Sequence, residues 1–112
     1  MNDAPRPVGV FDSGLGGLTV ARALIDLLPQ QPLVYFGDTG RFPYGPKPAD
    51  EVLKYSIEIS EVLLDRGVST IVVACNSATA AALEHLQDRF DVPVVGVIDP
   101  GVSLLPTPGL SR

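Results

Sequence analysis

Apolar residues along this chain fall in short runs divided by Gly and Pro, and the runs are of two kinds. Val8–Phe11, Leu33–Phe36, Thr70–Ala74 and Val94–Ile98 contain mostly Val, Ile and other apolar residues, without alternation of apolar and polar positions. That is the pattern of parallel strands whose two faces are both covered by helices. Between these runs, apolar residues recur at helical spacing. Leu18, Ala21, Ile25 and Leu28 form one stripe, ended by Pro29. Val52, Tyr55, Ile59 and Val62 form a second, with Pro48 suited to the first helical position and Gly67 to the C-terminal cap. Thr79, Leu83, Leu86 and Phe90 form a third, followed by Pro93. The alternation predicts an α/β fold, an open parallel sheet of four strands with helices on both faces, joined by right-handed crossovers. Residues 1–102 make up this domain. In the stretch 103–112, Pro106, Pro108 and Gly109 forbid a regular helix and no strand pattern is evident, so it reads as an irregular tail, as if the reading frame were interrupted there.

In an open α/β sheet, ligands bind beyond the carboxyl ends of the strands, where strand order reverses. Every unusual polar cluster of this chain follows a predicted strand. The first strand leads into Asp12-Ser13-Gly14-Leu15-Gly16-Gly17 and the second into Gly37-Asp38-Thr39-Gly40-Arg41-Phe42-Pro43-Tyr44-Gly45. The third leads into Cys75-Asn76-Ser77 and the fourth into Asp99-Pro100-Gly101. Four such clusters on one rim point to a small-molecule site. The glycine-rich turn after the first strand could cradle a phosphate or a carboxylate, or be a tight turn with no ligand. Asp38 at the end of the second strand suits a dinucleotide site, but that fingerprint fails because Thr19 stands where the third glycine is required. No Gly-Lys-Ser/Thr element marks a P-loop.

Composition narrows the chemistry. The 112 residues carry a net charge of −5, without the basic stripe that binding to nucleic acid or an anionic membrane surface requires. No apolar run is long enough to span a bilayer, and residues 1–7 lack the apolar core of a secretory signal. One cysteine cannot form an internal disulfide and suits a reducing compartment, so a soluble cytoplasmic domain is expected. No metal-ligand spacing of Cys, His or carboxylates occurs. His85, Glu58, Glu61, Asp65, Glu84 and Asp88 read as solvated helix positions.

A lone cysteine after an apolar strand is commonly an inert buried hydrophobe. Cys75 differs in its predicted place, the junction of the third strand with the third helix, where a helix N-terminus favours a thiolate. Asn76 and Ser77 beside it offer donors to a carboxylate, and Asp12 could orient the thiol or relay its proton if the first and third strands are neighbours. That condition predicts a flavodoxin-like strand order, 2-1-3-4.

Taken together, the blocks Val10 to Val20, Tyr35 to Thr39, Pro43 to Pro46, Ala74 to Ala80 and Pro93 to Gly101 resemble the glutamate racemases of the aspartate/glutamate racemase superfamily. The resemblance covers about residues 7–102. It implies racemisation of L- and D-glutamate without a cofactor or metal, supplying D-glutamate for peptidoglycan, by two cysteines on opposite faces of the substrate. It implies Cys75 as the first of these. Asp12 and Ser13, Tyr44 and Gly45, and Asn76 and Ser77 match the positions that hold or orient glutamate. Ser77 stands where threonine is common, Gly40 where alanine is usual and Lys47 where serine often caps the second helix. The Gly-Cys-Thr-His block with the opposing cysteine is absent, and with it the second pseudo-symmetric domain, so little racemisation is expected of these 112 residues alone. The alternatives are a half-domain that binds substrate or pairs with a full-length homologue, a homodimer presenting two Cys75 thiols, and an aspartate racemase.

Overall fold

The computed structural model describes residues 6–14, 18–97 and 104–105. In chain order these form β1 (Val8–Asp12), α1 (Leu18–Leu27), β2 (Leu33–Gly37), a 3-10 turn (Thr39–Arg41), α2 (Ala49–Asp65), β3 (Thr70–Val73), α3 (Asn76–Arg89), β4 (Val94–Val97) and β5 (Leu104–Leu105). The sheet has the order β2-β1-β3-β4-β5, and its first four strands are parallel. The expected order 2-1-3-4 is therefore present, with Phe11 of β1 in register with Phe36 on one side and Val73 on the other.

The edge differs from expectation. Leu104–Leu105, which the sequence assigns to an irregular tail, pairs antiparallel with β4 through Gly96↔Leu105 and Val97↔Leu104. A strand of two residues is too short to leave a periodic signature. Ile98 and the remainder of the tail lie outside the described residues.

Successive residues of a strand point to opposite faces, and the sheet accordingly has two apolar layers. Phe11, Ile71 and Val73 pack with α2 and α3, while Val10 and Val72 pack with Val20 and Leu24 of α1. The helices are turned relative to the stripes read from spacing. In α2 the buried positions are Val52, Ser56, Ile59, Ser60 and Leu63, and Val62 is exposed. In α3 they are Ala78, Ala82 and Leu86, with Thr79, Leu83 and Phe90 only partly covered. These two helices pack on each other, and small residues at a contact let helix axes approach closely. Serines and alanines are thus among the buried positions, which a count of large apolar residues would not choose. In α1 only Ala21 is buried, and Leu18, Ile25 and Leu28 stay about half exposed. That helix is apolar over most of its circumference, so spacing alone does not fix its inward side.

The helix ends follow local chemistry. Pro48 is the N-cap of α2, one position earlier than expected, with the extended ψ of 149° that a cap adopts. After Arg66 at the C-cap, Gly67 takes φ +81°, a left-handed conformation that glycine adopts without a Cβ clash.

Candidate active site

Cys75 is the residue between β3 and α3. It is the N-cap of α3, with φ −110° and ψ 127°, but its side chain makes no capping bond. The Cys75 carbonyl accepts the Thr79 amide at 2.9 Å, the first bond of the helix, and the Thr79 hydroxyl at 2.9 Å. The thiol bonds outside the helix. It is buried, and Sγ donates to Ser13 Oγ at 3.5 Å.

Strand register accounts for that meeting. β1 and β3 are neighbours, and beyond the pair Phe11↔Val73 the Ala74 amide donates to the Phe11 carbonyl at 2.8 Å. Two steps beyond Phe11 and Val73, the same register brings Ser13 beside Cys75. Asp12 and Ser13 are both buried, and the Asp12 carbonyl accepts the Asp38 amide at 2.9 Å. The Ser13–Gly14 turn is seated on β2. Tyr35 donates its hydroxyl to the Gly14 carbonyl at 3.0 Å, and burial followed by the Asp12 carboxylate raises the Tyr35 pKa, so it stays a donor. A Cβ at Gly37 would lie 2.4 Å from the Gly14 oxygen, which only glycine avoids.

The segment after β2 carries a second set of contacts. Asp38 is buried, and its Oδ2 accepts the Tyr44 hydroxyl at 2.5 Å and Arg41 Nε at 2.8 Å. Arg41 Nη1 also donates to Glu58 Oε1 of α2 at 2.8 Å, and the guanidinium lies 3.9 Å above the Tyr55 ring. The Tyr44 and Tyr55 rings are 5.7 Å apart. Burial, reinforced by the hydrogen bond to Asp38, pushes the Tyr44 phenol far above its ordinary range, which keeps it protonated.

Of the residues nominated from sequence, Tyr44, Gly45 and Ser77 line one groove, and Asp12, Ser13, Cys75 and Asn76 are not in its lining. A groove of about 280 Å³ is lined by Tyr44, Gly45, Lys47 and Val52 on one side and by Ser77, Ala80 and Ala81 on the other. Gly45 and Ser77 come so close that a Cβ at Gly45 would lie 3.9 Å from Ser77 Oγ. Asn76 is exposed at the first position of α3. The clusters at 15–17 and 99–101 lie outside the described residues.

Some residues have roles that the sequence does not signal. Asp38 suits, from sequence, only the acid of a dinucleotide site, yet it ties together Arg41 and Tyr44. Glu58 and Glu61, read as solvated, are exposed but paired, with Arg41 and Arg89. Thr79, assigned to an inner helix face, closes the turn behind Cys75. A Ser or Thr four residues after a predicted cap is the signal that could have found it. His85, Asp65, Glu84 and Asp88 are exposed, as expected. Among the described residues no group of three His, Cys, Asp or Glu could hold a metal, and no helix is long and apolar enough to cross a membrane.

No protein-family model matches the chain. Individual proteins do. The glutamate racemase of Corynebacterium diphtheriae is 56% identical over 102 residues, 91% of this chain and 38% of that protein. Among solved structures, glutamate racemase from Thermus thermophilus, in complex with β-chloro-D-alanine, matches with a TM-score of 0.81 and 54% identity over 85% of this chain and 37% of that one. The Escherichia coli glutamate racemase, in complex with L-glutamate and the activator UDP-MurNAc-Ala, matches with a TM-score of 0.78 and 40% identity over 83% and 36%. The chain thus spans a little over a third of the length of the relatives it matches.

Proposed function

From its homology to glutamate racemases over somewhat more than a third of their length, we propose that this chain provides one catalytic face of a glutamate racemase, with Cys75 as the acid/base. The observation that carries the reading is the buried Cys75 thiol, 3.5 Å from Ser13 Oγ, at the N-cap of the helix whose first turn brings Ser77 to the groove of Tyr44 and Gly45. In this reading Tyr44 and Gly45 face Asn76 and Ser77 across the bound amino acid, and Asp12 and Ser13 orient the thiol.

The chemistry follows from what one thiol can do. As thiolate, Cys75 takes the Cα proton and becomes neutral, while the electron pair of the broken C–H bond passes to Cα and its carboxylate. Return of a proton from the same sulfur restores the original configuration. Inversion needs a proton delivered from the opposite face, and Cys75 is the only cysteine of the 112 residues. In this reading the second acid lies on that opposite face, and D-glutamate made in the cytoplasm feeds peptidoglycan synthesis.

The test is solvent exchange in deuterium oxide. We expect these residues to bind L-glutamate and to exchange its α-proton slowly with retention, and Cys75→Ser to abolish exchange while binding persists. Full inversion by the wild-type chain, lost in Cys75→Ser, would instead mean that two copies present their thiols to one substrate. Binding without exchange would favour a non-catalytic module, and preference for aspartate would reassign the substrate.

A further inference from the structure

We propose that Arg41 is a positioning residue, the clasp that sets the Tyr44–Gly45 segment at the rim and thereby fixes affinity for the amino acid. Its effect on glutamate rests on the reading above; its effect on the segment does not. The Tyr44–Gly45 segment is anchored at one point by the Tyr44 ring, which is buried in the core. It follows a single 3-10 turn, Phe42 is exposed, and Gly45 carries no side chain. A further set of contacts meets at one guanidinium. Nε reaches the buried Asp38 carboxylate, Nη1 reaches Glu58 on α2, and the guanidinium carbon lies 3.9 Å from the centre of the Tyr55 ring. Asp38 in turn holds the Tyr44 hydroxyl through the same Oδ2 that accepts Arg41.

The consequence is geometric. α2 packs on α3, and α3 begins at Cys75 and Asn76. Arg41 therefore fastens the Tyr44–Gly45 segment to α2, which packs against α3, the helix of the opposite wall. A guanidinium fork can serve Asp38 and Glu58 through two different nitrogens while its carbon stays 3.9 Å from the Tyr55 ring centre, which the single nitrogen of an ammonium cannot reproduce. Arg41 itself is about one-third exposed and touches no residue assigned to the proton transfer. Its loss should therefore loosen the groove and leave the thiol chemistry in place.

The Lys47 amide, which donates to the Tyr44 carbonyl at 2.9 Å, reports on the segment without any ligand. The Ala74 amide, bonded to Phe11 between β3 and β1, reports on the sheet. Arg41→Ala is expected to speed hydrogen exchange at Lys47 by about tenfold, the worth of one charge-assisted bond to a buried carboxylate, and to leave Ala74 unchanged. Arg41→Lys should fall between the two. L-glutamate should bind about tenfold more weakly to Arg41→Ala, with α-proton exchange at saturation altered less than about threefold. Arg89→Ala, which removes the surface pair with Glu61, should move none of these.

Unchanged protection at Lys47, equal acceleration at Ala74, or a lower saturated rate at unaltered affinity would each overturn the clasp. If the wild-type chain binds no glutamate, the reading of function fails and the amide exchange alone decides the role of Arg41.

Discussion

Replacing Tyr44 with phenylalanine isolates one buried hydrogen bond and gives it a pH signature. The ring stays, so the packing of a side chain that is 1% exposed is kept, and only the hydroxyl that donates to Asp38 Oδ2 is lost. Asp38 retains Arg41 but loses its other donor, and a bond to a charged group is worth about 2 kcal/mol. For a domain of this length that is a fall in Tm of roughly 8 °C at pH 8. The alkaline side carries the sharper forecast. The Tyr44 phenol is raised above its unfolded value of 10.0 by burial and then by Asp38. A raised folded pKa means stability that is complete below the unfolded pKa and is lost as pH climbs past it, because the unfolded chain gives up a proton that the folded chain keeps. The wild type should lose about 1.4 kcal/mol by one pH unit above the unfolded value. The phenyl ring of the variant has no proton to lose, and the contributions of Tyr35 and Tyr55 are common to both chains. The gap of about 2 kcal/mol at pH 8 should therefore shrink to about 0.6 kcal/mol at pH 11. Urea unfolding followed by circular dichroism at the two pH values measures both gaps. A gap that does not change with pH would refute the account of a phenol held protonated by the fold, and a gap below about 0.5 kcal/mol at pH 8 would refute the energetic weight of the Asp38 contact.

Ser60 Oγ is buried without a hydrogen-bond partner among the described residues, so Ser60→Ala should raise stability by about 1 kcal/mol, and a loss in thermal unfolding would mean that the hydroxyl is satisfied. Gly37→Ala would set a Cβ 2.4 Å from the Gly14 carbonyl oxygen, a backbone atom that cannot rotate aside, and should cost about 2–3 kcal/mol. Gly40→Ala, with nothing within 4 Å of its Cβ, should stay within about 0.5 kcal/mol of the wild type in the same denaturation assay. Equal losses at the two glycines would show that clearance at the turn is not what decides.

The strands were legible because burial on both faces makes them continuous apolar runs, and that signal is strong even over four or five residues. Their order was legible for a chemical reason, since pairing Asp12 with Cys75 requires β1 beside β3, the neighbours found. The inward faces of the helices were less so. Leu18 and Ile25 of α1 and Val62 of α2 are exposed, because the sheet and the opposing helix choose the face, and they choose Val20, Leu24, Ser56 and Ser60. Spacing counts large apolar residues. Close helix packing instead rewards small ones, which composition treats as neutral.

The same division runs through the rim. Residues at strand ends could be nominated one by one, because topology sends every strand end to the same side. Residues that hold them in place could not, since Arg41 reaches Asp38 three positions back and Glu58 seventeen positions on, with no periodicity linking the three. A cap usually spends its side chain on the first amides of the helix. Cys75 makes no such bond, and its sulfur donates to Ser13 instead. The Thr79 hydroxyl, four residues on, adds a second bond to the Cys75 carbonyl, which already accepts the Thr79 amide. The thiol of this N-cap is therefore joined to the turn after β1 rather than to its own helix.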